Sequence, residues 1–147
     1  MKLKMEVIFM DFNQNQAREI IMNNYVNNPK DNLSTNHKRV YSTSCADLLE
    51  IDLDFTDKIN KISTASNGCA IFVASTNILK KKLINKEIQQ AKKLIERFIK
   101  FVHQEIELND EEIQELGDLW AFYNVKTHLN RIDCATLTAK YILDELK

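Results

Sequence analysis

Glycine and proline are nearly missing from this chain, with two Gly and one Pro in 147 residues. The two glycines, Gly68 and Gly117, stand far apart, which excludes a glycine-rich loop that cradles phosphates and the nucleotide chemistry that needs one. An excess of charge is missing too. Lys and Arg number 20 against 21 Asp and Glu, a formal net charge of -1, so there is no electrostatic footprint for nucleic acid. The densest basic run, Lys80-Lys81-Lys82, reads as a solvated helix end. No apolar run is long enough for a membrane span. The N-terminal "MKLKMEVIFMDF" is interrupted by Glu6 and lacks the long apolar region and small-residue cleavage site of a secretory signal, which predicts a cytoplasmic protein. Three cysteines, an odd number, argue against a disulfide framework in a reducing compartment and leave thiols for metal or sulfur chemistry.

What is present fits a folded domain. Apolar residues make up 44% and charged residues 28%, near the globular average. A chain of this length suits one domain, 1–147, with a radius of gyration of about 15 Å, so residues distant in sequence can share a site. No repeat or low-complexity linker marks a boundary.

The patterning predicts an α+β fold. "QAREIIMNNYV" carries apolar residues at helical spacing and stops at an Asn-rich stretch around Pro29. Leu49, Ile51, Leu53 and Phe55 alternate with Glu50, Asp52 and Asp54, a strand with one wet face. Thr56-Asp57-Lys58 turns into a second strand, "INKISTAS", and Arg39 to Ser42 supplies a third. The expectation is a small antiparallel three-stranded sheet with helices packed on one face. From Cys69 the period becomes helical and apolar nearly all round, which predicts a buried helix. An amphipathic helix over 86–102 follows, then a segment over 110–124 that opens with the cap Asn109 and an acidic first turn. A terminal helix begins at or just after Cys134.

The three cysteines fall at element ends. Cys45 closes a strand-like stretch, Cys69 opens a helix behind Gly68, and Cys134 opens another. Helix N-termini favour thiolate, the form that binds metals and attacks sulfur. Gly68 permits a positive φ that would turn the Cys69 sulfur outward. With Asp47, the cysteines could supply a Cys₃Asp set for a tetrahedral ion such as zinc. The competing reading is structural. A cysteine beside apolar residues is ordinarily a small buried hydrophobe, and Cys69 next to "AIFVA" fits that. Asp47 alone suits a turn or cap. Cys45 and Cys69 stand 24 residues apart, Cys69 and Cys134 65 apart; neither matches a Cys-x-x-Cys signature, so spacing leaves both readings open. Of the histidines, His37 has no cysteine in a nucleophile setting to serve, His103 lies at a helix edge, and His128 is a spare ligand near Cys134.

Taken together, "SCAD" at 44–47, "GCAIFVAS" at 68–75 and "RIDCATLTAKYIL" at 131–143 resemble, in order, the three metal-binding segments of the NifU-like family, which includes IscU scaffolds and SufU proteins. "IIMNNYVNNPKDN" resembles that family's N-terminal Asn-Pro segment. The long stretch between Cys69 and Cys134, and Asp133 where IscU proteins have histidine, make SufU the nearer type. The resemblance implies zinc held by Cys45, Asp47, Cys69 and Cys134. It also implies Cys45 as the catalytic sulfur acceptor from a SufS-like cysteine desulfurase, and delivery to downstream cluster-assembly or acceptor proteins. IscU-type assembly of a transient [2Fe–2S] cluster on the same ligands is the alternative. Two departures stand out. Ala46 replaces the glycine of the family's Cys-Gly-Asp, which predicts a shifted or strained loop, and Asp133 replaces the usual lysine, putting a negative charge and a further oxygen beside Cys134.

Overall fold

The computed structural model describes residues 12–43, 45–127 and 131–147; the N-terminal run weighed as a leader, up to Asp11, and His128 lie outside them. Helix α1 (Gln14–Val26) begins at Asn13, whose side chain accepts from the amides of Asn15 and Gln16 at 2.8 and 3.1 Å, donors that no helical carbonyl can reach. It ends before Pro29, where the sequence predicts.

Strands β1 (Lys38–Tyr41), β2 (Leu48–Phe55) and β3 (Ile59–Asn67) form one antiparallel sheet in the order β1-β2-β3. The alternation on β2 is realised: Leu49 and Ile51 are buried, while Glu50 and Asp52 remain partly exposed and bind polar partners. Glu50 accepts from Arg39 at 2.9 Å and lies 3.1 Å from His37, so His37 serves the wet face of the sheet.

Helix α2 (Ala70–Leu83) is buried at every position from Phe72 to Leu79, as its all-round apolar pattern requires. The amphipathic α3 (Ile88–Val102) follows, with His103 as its C-cap. A short helix, α4 (Asp110–Leu116), starts with a complete capping box between Asn109 and Glu112. It stops where the sequence predicts continuation to 124. Gly117 adopts φ +54°, and the chain proceeds as 3₁₀ turns over Gly117–Phe122 and Val125–Thr127. The last helix, α5 (Arg131–Leu146), begins three residues earlier than the apolar pattern implies, so Cys134 lies within its first turns rather than at its start.

Most of the buried apolar residues form one cluster, with Phe72, Phe98 and Phe122 as its largest members. Burying each such aromatic stabilises the fold by about 1.5–3 kcal/mol relative to exposure. Hydroxyls fasten α2 to α5: Ser75 Oγ donates to the Ala135 carbonyl at 2.6 Å, and the Thr76 and Thr138 hydroxyls lie 2.6 Å apart. The basic run at the end of α2 is more than a solvated helix end. Lys80 is largely covered and bonded to Asp31, and Lys81 donates to Asn24 Oδ1 at 2.9 Å.

Candidate metal centre

The β1–β2 turn carries Cys45 and Asp47. It is closed by the Ser42 amide on the Asp47 carbonyl at 3.1 Å, and the Cys45 amide donates to Ser42 Oγ at 3.1 Å. Ala46 is exposed and has no positive φ, so alanine fits this loop without backbone strain, contrary to the sequence expectation.

Strand register then decides what Asp47 meets. Leu48 pairs with Asn67 across β2 and β3, so the next position places Asp47 beside Gly68. A Cβ on Gly68 would stand 2.2 Å from Asp47 Oδ1, 2.9 Å from its Cγ and 3.0 Å from its Cα. Gly68 does not adopt a positive φ, as the sequence suggested; Gly117 is the glycine that does. Glycine is required at 68 because the carboxylate occupies the space of a side chain.

Cys69 is the N-cap of α2, and its amide donates to Asp47 Oδ1 at 2.9 Å. The carboxylate thus sits against the positive end of a buried helix. Asp47 is 2% exposed, and its second oxygen, Oδ2, is buried without a hydrogen bond. A carboxylate oxygen left so is costly unless a cation takes it.

Cys134, 1% exposed, completes the cluster from α5, with its sulfur 2.9 Å from that of Cys45. The separation is longer than the roughly 2.05 Å of a disulfide, and both residues are thiols. Among the described residues, Cys45, Asp47 and Cys134 form the one group whose ligand atoms all lie within 4.8 Å of one another. Donor atoms around a tetrahedral zinc, at bonds of about 2.3 Å, stand about 3.8 Å apart, which lies within that limit. Cys69 stands outside this set of three, although its sulfur neighbours Cys134. Burial, then hydrogen bonding with Cys45, Asp47 and Cys69, pushes the Cys134 thiol far above its usual range. Desolvation disfavours a thiolate there without a compensating cation.

Arg131 is the cation already present. The negative field of Cys69, and then a hydrogen bond with Cys134, hold its guanidinium more firmly charged than usual. Arg131 stands three residues before Cys134, an i, i+3 spacing that sets both on one helix face and was the signal the sequence held. Asp133 is exposed and outside the three.

The family model of the NifU-like N terminal domain matches residues 16–135. The chain belongs to the NifU-like family. The resemblance read from the sequence stands, and so does its α+β fold. A curated relative from Streptococcus pyogenes serotype M1, named iron-sulfur cluster assembly scaffold protein IscU, is 29% identical over 105 residues, covering 71% of this chain. The chain spans 64% of that relative's length. An uncharacterized protein of Borreliella burgdorferi is 29% identical over 132 residues, 88% of each chain. Among solved structures, a putative iron-sulfur cluster assembly scaffold protein for the SUF system, SufU of Fervidobacterium islandicum AW-1, superposes with a TM-score of 0.76 at 28% identity, covering 88% of this chain and 95% of that one. The N-terminal part of a nitrogen-fixing NifU-like protein from Brucella abortus shares the fold, with a TM-score of 0.73 at 15% identity over 86% of this chain and 88% of that one.

Proposed function

We propose that this NifU-like chain works in cytoplasmic iron–sulfur cluster assembly as a zinc-dependent sulfur acceptor, taking persulfide sulfur from a SufS-like cysteine desulfurase. One observation carries the reading: two thiols and a buried carboxylate with an unpartnered oxygen converge within 4.8 Å. The donors fit zinc, with Cys45, Asp47 and Cys134 holding it and Cys69 as the neighbouring fourth ligand. Zinc held there would supply the positive charge that keeps the thiols deprotonated and ties the loops together.

The chain's own residues divide the work. Cys134 is enclosed in a helix, and Cys69 is fixed as the cap of another. Cys45 and Cys69 are both half-buried, and Cys45 is the one on a hairpin loop outside any helix, which favours it as the sulfur a partner reaches. As thiolate, its Sγ attacks the terminal sulfur of the desulfurase persulfide. A new S–S bond forms at Cys45, the old one breaks, and the desulfurase cysteine leaves as thiolate. Arg131 offsets the negative charge gathered on the sulfurs.

A second reading, assembly of a [2Fe–2S] cluster on the same ligands, is favoured by the scaffold names of two relatives; thiolates serve both. Metal analysis with an anaerobic visible spectrum separates them. One tightly held zinc without colour, reduced by Asp47→Ala, supports the acceptor, and a stable chromophore after reconstitution supports the scaffold. Cys45→Ser should fold yet no longer stimulate the desulfurase. Unchanged stimulation would remove Cys45 from the acceptor role.

A further inference from the structure

The β3–α2 joint, where Gly68 and Cys69 lie, is gripped by the segment that leaves α1. Asn28 bonds to both elements: its Nδ2 donates to the Ser66 carbonyl of β3 at 3.1 Å, and its Oδ1 accepts from Asn77 Nδ2 of α2 at 3.1 Å. Asp31 does the same one turn of chain later. Its backbone amide donates to the Thr64 carbonyl at 3.1 Å, its Oδ2 accepts from the Thr64 amide at 2.9 Å, and the same oxygen accepts from Lys80 Nζ of α2. Lys80 also donates to Thr64 Oγ1 at 3.0 Å, joining strand and helix directly. Burial works against the charge on Asp31, yet Lys80 and Thr64 hold its carboxyl below the ordinary range.

Both elements end or begin at the Cys69 turn, so their mutual angle sets where that sulfur stands. The joint also carries a cost. Ser66 Oγ and Asn77 Oδ1, on the two residues Asn28 grips, are buried without hydrogen bonds. Ties that span strand and helix offset that cost, whereas bonds within either element would leave the angle free. We infer that the segment from Asn28 to Asp31 is a clamp that fixes the Cys69 turn, with Asn28, Asp31 and Lys80 as positioning residues for the Cys69 sulfur. The use of that sulfur rests on the function proposed above; the clamping does not.

The test is pulsed alkylation of the metal-free full chain, read cysteine by cysteine by peptide mass spectrometry. Asn28→Ala and Lys80→Met should each raise the labelling rate of Cys69 relative to Cys45 by about five- to tenfold, the effect of losing one or two ordinary hydrogen bonds on a local opening. Lys80→Arg, which keeps a cation on Asp31, should restore the wild-type ratio. Asn109→Ala loosens the cap of α4 away from the joint and should leave the ratio alone. Equal ratios in Asn28→Ala, Lys80→Met and Asn109→Ala would overturn the inference. If Asn28→Ala does not fold, Lys80→Met against Lys80→Arg decides. Zinc binding is measured separately, so a wild type that binds none sinks the metal reading while the ratio still judges the clamp.

Discussion

Replacing Gly68 by alanine is the most direct test of the site geometry. The added methyl would lie 2.2 Å from Asp47 Oδ1 and 3.0 Å from Asp47 Cα, so rotating the side chain alone cannot clear it. Asp47 is 2% exposed, and the oxygen in the way is the one bonded to the Cys69 amide at 2.9 Å. Relief therefore breaks that bond and leaves a buried amide and carboxylate unmet, about 1–3 kcal/mol. Residual crowding against backbone adds about 1–2 kcal/mol. The sum is about 2–5 kcal/mol, and at about 2–4 °C per kcal/mol for a domain of this size the midpoint should fall by about 4–20 °C. Thermal unfolding of the metal-free protein followed by circular dichroism reads this, and chelator competition reads zinc. Because Asp47 Oδ2 would be swung from its place, affinity should fall by about 10- to 100-fold.

A double-mutant cycle sharpens the prediction. In an Asp47→Ala background, Gly68→Ala meets no carboxylate and should cost at least 1 kcal/mol less than in the wild type, roughly the coupling expected for residues in contact. Wild-type stability and zinc affinity in Gly68→Ala, or strict additivity in the cycle, would refute the close approach of Asp47 to Gly68.

The remaining predictions concern the thiols and the helix ends. The Cys134 thiol is raised by burial, so the folded metal-free protein favours its protonated form; its contribution is complete below the unfolded cysteine value of about 8.5 and is lost as pH rises above it. Stability should decline above about pH 8.5 with a slope approaching 1.4 kcal/mol per pH unit, and Cys134→Ala should flatten that decline in unfolding curves between pH 8 and 10. Zinc binding should run the other way, strengthening as pH rises because the ligand thiols release protons, and a calorimetric titration in buffers of different ionisation enthalpy counts those protons. Asn109→Ala removes half of the capping box and should cost about 1 kcal/mol, seen as a midpoint about 2–4 °C lower with zinc affinity unchanged.

The fold was legible where periodicity alone decides it. Leu49 and Ile51 alternate with Glu50 and Asp52 because one face of β2 meets helices and the other meets water, and α2 reads as buried because little of its surface is polar. The cysteines and Asp47 were legible as residue types at element ends. What escaped was any fact that depends on a partner far along the chain. Glycine answers equally to a left-handed backbone and to a close neighbour, and nothing beside Gly68 reveals that its neighbour is Asp47. Lys80 looked solvated because its carboxylate is 49 residues upstream. The stop at Gly117 was missed because a lone glycine inside a helical pattern is tolerated at a cost of only about 1 kcal/mol, so it does not by itself mark an end.

Strand parity connects these gains and losses. Asp47, in the turn just before β2, continues the face of Leu49 and Ile51; the three are 2%, 0% and 1% exposed, so the core-facing row running out of this strand ends in a carboxylate. Across the sheet, Leu49 pairs with Ser66 and Ile51 with Thr64, and the same row of β3 runs on to Gly68. Where the first two pairs set a large side chain against a small one, the third sets a carboxylate against none at all. A slip of one residue between β2 and β3 would turn Asp47 away from Cys134 and bring Leu48 opposite Gly68, exchanging a charged donor for hydrocarbon. The register that buries Leu49 and Ile51 therefore also aims the carboxylate, and the apolar alternation of β2 specifies the thiol–carboxylate cluster as much as the hydrophobic core.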